Sequence, residues 1–356
     1  MNQPDALVPP HQRTMTALPT PDVLDRAIGC LVGLAIGDAL GMPTQTLTRA
    51  QIVARYGRML RGFVPSPADH PVAPGLPAAK TTDDTDQALI VADLVIRSGG
   101  IIDEFALAGR LADWEDEMVA QGSGELLGPS TRRALEALAA GFGPESSGRT
   151  GATNGAAMRI APVGIAVPPG PALFVAVERA SRLTHNTSVA MAGAFAVAAA
   201  VSHGVGGGGL AGAIQAAITA AEIGAERGQP FVGTSLLLKR LRRLPGDLAK
   251  VSPSSVMDYV NDVTGTSMVS EESVPAALAF ALAGGTDGWL ALRMAASAGG
   301  DCDTVAAMAG AVLGACLGMK AFPEEAWSLV EARNGIDLAI VGEELAHVRA
   351  AREADR

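Results

Sequence analysis

Two short acidic segments constrain what this chain can fold into more than any other feature: TTDDTD at 81–86 and GGDCDT at 299–304. Asp84 and Asp301 lie 217 residues apart, yet the segments match in composition, and each directly precedes an apolar helical run. Brought together, Asp83, Asp84, Asp301 and Asp303 would repel one another unless positive charge compensates them. Two divalent cations balance four carboxylates, Thr82 and Thr304 add neutral oxygens, and an all-oxygen set selects hard ions, Mg²⁺ or Mn²⁺. The competing reading is capping, since carboxylates are favoured in the first turn of any helix. If the segments share a site, the chain between them folds as one unit.

Apolar residues recur at three- and four-residue spacing over 21–40, 85–98, 102–119, 130–140, 173–183, 188–201, 210–226, 274–283, 288–298 and 304–319, which predicts helices. No stretch alternates convincingly as a strand. Alanine and glycine crowd these helices, as in GCLVGLAIGDALG at 29–41. Glycine costs helix propensity, so its abundance predicts tight helix packing. Loops fall at 61–80, 141–154, 166–170 and 243–254, none with the composition of a linker. The expected architecture is a single all-α domain over 21–345, with a disordered tail at 1–20 and a short tail at 346–356.

A net charge of −10 argues against binding a nucleic acid duplex or an anionic membrane. The short basic run at 239–243 reads as a solvated helix face. Cys30, Cys302 and Cys316 show no C-x-x-C spacing, which implies neither a disulfide framework nor a zinc site and fits a reducing cytoplasm. No secretory leader is visible. The uncharged stretch 186–221 is interrupted by Ser202, His203 and GVGGGG at 204–209, so it reads as two helices and a loop, each piece too short to span a bilayer. Cys302 is expected to pack inward, because a thiolate suits hard ions poorly. Trp114, Trp289 and Trp327 are expected in the core, and Arg159 at a phosphate or a helix C-terminus.

Five segments in order, GCLVGLAIGDALGMP at 29–43, TDDT at 82–85, NGAAMR at 154–159, THNT at 184–187 and GGDCDTVAAMAGA at 299–311, resemble the ADP-ribosylglycohydrolase family, which includes the dinitrogenase-reductase-activating glycohydrolases. The resemblance spans residues 25–318. It implies an all-helical fold with a binuclear Mg²⁺ or Mn²⁺ centre at the base of a cleft, which hydrolyses the bond at ribose C1″ of a protein-linked or small-molecule ADP-ribosyl conjugate. Thr82, Asp83, Asp84 and Asp303 would hold one ion, and Asp301, Asp303 and Thr304 the other. Asp38, Asn154, Gly155 and His185 match family positions near the substrate. Asp38, at a helix end, also suits a capping or packing role.

Where many relatives carry a catalytic Glu, this chain has Gln45, and where others carry an Asp it has Leu126 with Glu125 beside it. An amide is no general base, but it both donates and accepts hydrogen bonds, so Gln45 suits substrate recognition. Candidates for the base are Glu125, Asp84 and Asp303. The GMPTQ segment with LTRAQIVARYG after it is similar to a branch associated with nucleoside breakdown. A small-nucleoside N-glycosidase and a non-catalytic ADP-ribose binder are therefore the alternatives.

Overall fold

Thr20 opens the first long helix, Pro21–Gly41: its hydroxyl accepts the Val23 N–H and proline follows at the first helical position. Glycines 29, 33, 37 and 41 then recur at every fourth residue and line one face. The helix Cys302–Leu317 and its C-cap Gly318 present a matching row, Ala306, Gly310, Gly314 and Gly318. In the computed structural model, which describes residues 17–120, 122 and 128–356, these two helices form the most extensive helix pair. They run antiparallel: Gly29 faces Gly314 and Gly318, Gly33 faces Gly310, Gly37 faces Ala306 and Gly41 faces Asp303. A Cβ placed on Gly37 would lie 2.2 Å from the Ala306 carbonyl oxygen, and one on Gly314 only 1.8 Å from that of Gly29. At the seam's glycines only hydrogen fits, which explains residues that each cost the helix about 1 kcal/mol. The register has a functional consequence. It sets the end of the first helix, with Asp38, against the start of the other, with Asp301, Asp303 and Thr304.

Helix Ser188–Val205, almost wholly buried, and helix Ser270–Gly284, buried over its middle, pack on the seam, so the core is built mostly of alanine, valine and leucine in close contact. The chain is an all-α, single-domain protein. Among the described residues the only β-type pairings are two isolated bridges, Thr153 to Val269 and Thr187 to Gln229.

The structure departs from the sequence expectation in several places: helices Arg49–Tyr56 and Glu324–Asn334 form where the sequence reading has none, and three expected boundaries move. Helix Ser188–Val205 does not stop at 201, because Ser202 satisfies its hydroxyl on the Val167 carbonyl (2.7 Å) and continues the helix. Its length and composition would allow a membrane span, but 94% of that window is buried inside the protein. Second, the loop expected at 243–254 begins late: Thr234–Leu248 is helical despite Pro245. The basic run at 239–243 lies on that helix. Third, residues 346–354 are no tail. They complete helix Leu338–Ala354, where Arg349 is buried against the Ile165 and Ser202 carbonyls. Of the N-terminal tail, residues 1–16 lie outside the described residues.

Candidate active site

Asp38 is the hinge of the site's geometry. Its carboxylate accepts the Thr82 N–H (2.9 and 3.1 Å), the Thr82 hydroxyl (2.7 Å), the Thr85 N–H (3.1 Å) and the Thr85 hydroxyl (2.5 Å). These groups stand at the start of helix Asp83–Ser98, whose own N-cap side chain makes no capping bond. Asp38 therefore caps that helix from another element and pins TDDT to the glycine seam. Both its oxygens are engaged, so it positions neighbouring groups; it does not offer a free carboxylate to substrate. The Thr82 hydroxyl spends its proton on Asp38, which turns its lone pairs outward as a neutral ligand would require.

The two acidic segments meet here. Thr304 donates its hydroxyl to Asp84 (3.2 Å), closing a gap of 220 residues, and Asn154 donates its amide to Asp301 (2.5 Å). Asp84 and Asp303 are buried, and each has one carboxylate oxygen, Oδ1, with no hydrogen-bond partner. Burial raises the pKa of both well above the usual carboxylate range, helped by Asp83 beside Asp84 and by Asp301 beside Asp303. Asp83 is raised likewise by burial and then by Asp38, and Asp301 by burial. Four acids are thus crowded together where ionising all of them is costly.

Whether these residues suit divalent cations has two sides. In kind they do: the donors are all hard oxygens, and two buried oxygens lack partners. In position they are not yet a cage, because no three His, Cys, Asp or Glu side chains among the described residues lie together closely enough to hold an ion.

The other expected residues are placed as follows. Asn154, beside Asp301, also donates its N–H to the Met268 carbonyl (2.9 Å). Gly155 lies against the His185 ring, 2.9 Å from where a Cβ would sit. His185 is fully buried with both nitrogens engaged, by the Thr184 hydroxyl (2.7 Å) and the Thr153 hydroxyl (3.0 Å). Burial holds its pKa well below the usual range, so it is a neutral wall residue. Gln45 is buried, its backbone carbonyl held by His70 Nε2 (3.0 Å) while His70 Nδ1 accepts the Ala73 N–H (2.9 Å). The Gln45 side-chain Nε2 has no partner. Glu125 and Leu126 lie outside the described residues. Cys302 is buried, as expected, and accepts the Gly299 N–H (3.1 Å). Trp114 is buried too and binds Asp86 (3.1 Å), which takes that third acid of the first segment away from the cluster.

The Arg159 side chain is held inside the protein by other side chains. It is fully buried and donates to Gln87 Oε1 (2.9 Å) and the Thr184 hydroxyl (2.6 Å). Burial lowers its pKa to about 10, with Asp83 opposing that shift. A lone arginine in a motif carries no sign of this in sequence, because its partners come from a distant helix, at Gln87, and from the turn at Thr184.

Asp38 fixes a pH dependence. Burial pushes its pKa up to about 6 despite the four groups that favour its ionised form. A carboxyl that holds its proton longer in the folded than in the unfolded chain, where the value is about 3.9, makes stability fall as pH rises from about 4 to about 6. The acids of the cluster shift in the same direction. The melting temperature in EDTA is expected to drop as pH is raised from about 5 to about 7. A rise over that range would show the carboxylates to be compensated by the protein itself.

The helical seam, the capped TDDT turn and the meeting of the two acidic segments are the features of the candidate site. The ADP-ribosylglycohydrolase family model matches residues 19–355, and the chain belongs to that family. It is 31% identical over 338 residues to the uncharacterized protein YegU of Escherichia coli, covering 93% of this chain and 99% of that one. It is 32% identical over 177 residues to the ADP-ribosyl-[dinitrogen reductase] glycohydrolase of Rhodospirillum rubrum, covering 47% of this chain and 53% of that one. Among solved structures, an ADP-ribosylglycohydrolase-related protein complex superposes with a TM-score of 0.64 at 27% identity, covering 94% of this chain and 99% of that chain.

Proposed function

We propose that this protein hydrolyses the N-glycosidic bond at ribose C1″ of an ADP-ribosyl conjugate, with two Mg²⁺ or Mn²⁺ ions as cofactors and the cytoplasm as its compartment. The observation that carries this is the meeting of two remote acidic segments at one buried point, with the Oδ1 atoms of Asp84 and Asp303 unpartnered. Membership of a family of hydrolases acting on ADP-ribose conjugates supplies the chemistry.

Thr82, Asp83, Asp84, Asp301, Asp303 and Thr304 would hold the ions. When bound, the pair would balance the carboxylates and lower the pKa of a coordinated water. The chain's own residues do the rest. Cleavage passes through an oxocarbenium-like state, so ribose and water must be fixed before the bond breaks. Asn154 holds the Asp301 carboxylate, and Asp38 fixes Thr82 against the seam, so donors and acceptors are set in advance. Glu125 is one candidate for the base that takes the proton of the attacking water, and a carboxylate oxygen of Asp84 or Asp303 that stays off the ions is the other. The Gln45 amide, an unpartnered buried donor, hydrogen-bonds a substrate oxygen.

Gln45 also supports the second reading, an N-glycosidase of small nucleosides, because a glutamine changes what the site recognises. Release of ribose or ADP-ribose from an ADP-ribosyl-arginine conjugate and from free nucleosides, each with Mn²⁺ and with EDTA, separates the two. Metal-dependent release from the conjugate is expected; cleavage of nucleosides alone would replace the first reading by the second. Gln45→Glu is expected to raise conjugate hydrolysis about tenfold or more by adding a base, within the range of general-base effects. A loss of turnover instead would mark Gln45 as a required recognition residue.

A further inference from the structure

The basic run at 239–243 forms one wall of a groove of about 550 Å³. Lys239, Arg240, Arg243 and Lys250 line it, against a single acid, Asp247. Arg243 is paired with Asp247 (3.2 Å) and Arg240 donates to the Glu271 carbonyl (2.6 Å), whereas Lys239 and Lys250 have no partner among the described residues. In a chain of net charge −10 this is a local excess of positive charge. Apolar side chains share the surface: Leu236 and Val263 line the groove and are 42% and 57% exposed, and Val232, just before the helix, is 90% exposed.

The chain links the groove to the candidate active site. Thr264 lines it, and two residues on, the Thr266 carbonyl accepts the Asp301 N–H (2.6 Å). Exposed Met268 follows, and its carbonyl holds Asn154. Between Leu236 and Asp247 the helical wall runs for about 16 Å, the length of roughly five extended residues. A shape this long, with cations and exposed apolar groups together, suits a peptide segment better than a compact anion.

We propose that this groove docks an acidic, partly apolar segment of the protein that carries the ADP-ribosyl group, a role that rests on the hydrolase reading above. Charge complementarity selects the partner: the groove attracts carboxylates, and the remainder of the acidic chain repels an extended polyanion such as RNA.

The test uses the full chain and a fluorescein-labelled octapeptide of alternating glutamate and leucine, with binding followed by anisotropy at low and at high salt. Binding that weakens with salt, and that falls about tenfold or more in a Lys239→Glu/Arg243→Glu variant, is expected, because rim charges act through long-range attraction. Both side chains are exposed, so the variant keeps its core. Absence of binding, equal binding by the variant, or tighter binding of a single-stranded RNA of equal charge would overturn the assignment. In the kinetic arm, the variant is expected to raise KM about tenfold for an ADP-ribosylated acidic protein, with kcat and the small ADP-ribosyl-arginine conjugate unaffected. An unchanged KM overturns substrate docking. A wild-type protein that hydrolyses neither conjugate overturns the hydrolase reading instead, and the peptide arm then judges the groove alone.

Discussion

Asp303→Asn is expected to reduce hydrolysis about a thousandfold while leaving the metal-free protein as stable as the wild type or more so. The two effects have one cause. Asp303 is buried with an unpartnered oxygen, and its pKa is raised by burial and by Asp301, Asp38 and Asp83 around it. Replacing it with an isosteric amide relieves repulsion that the Thr304 backbone hydrogen bond only partly offsets. The same charge is what a shared pair of cations would need, and metal assistance contributes several kcal/mol to such reactions, or about three factors of ten in rate. Melting curves recorded in EDTA and in Mn²⁺, alongside turnover, check this. The wild type should gain stability from Mn²⁺ and the variant should gain little. A variant that loses stability in EDTA, or retains the Mn²⁺ gain and full turnover, would remove Asp303 from the centre of the site.

The largest loss of stability is expected at the glycine seam. In Gly310→Ala the new methyl would lie 1.9 Å from the Gly33 carbonyl oxygen, and the clash is with backbone, which cannot swing away as a side chain can. Overpacking of this kind costs about 1–3 kcal/mol where the structure can shift, and more where two helices must separate. We expect about 3 kcal/mol or more, or failure to fold. Gly109→Ala is the control, because a Cβ there meets nothing within 4 Å on helix Glu104–Ala120. That change should be neutral or stabilise by about 0.5–1 kcal/mol, since alanine is the better helix former. Urea unfolding of both variants measures the difference. Equal effects would mean that the seam tolerates separation and does not set the register of the acidic segments.

What could be read from the sequence follows a physical division. Most of the long core helices and the meeting of the two acidic segments were legible because periodicity and charge are local signals, and the glycines of GCLVGLAIGDALG announce a close approach before its partner is known. The partner's identity was harder, since small residues also line the helices Ser188–Val205 and Leu210–Ala225. Roles that depend on distant groups were not legible. Asp38 at a helix end suits a cap, but nothing local says that it caps a helix 44 residues later. Arg159 and His185 look like cleft residues in their motifs, and only the packing of Gln87, Thr184 and Thr153 around them shows that they are satisfied within the protein. Helix ends misled where polar residues found partners elsewhere: Ser202 on Val167, and Arg349 on Ile165.

The most direct test of the central claim is anomalous diffraction from crystals grown with Mn²⁺. Two peaks are expected at the junction of the glycine-seam helices, bounded by Thr82, Asp83 and Asp84 on one side and Asp301, Asp303 and Thr304 on the other. Crystals of active protein with no peak there, or with manganese bound only at a different site, would contradict it.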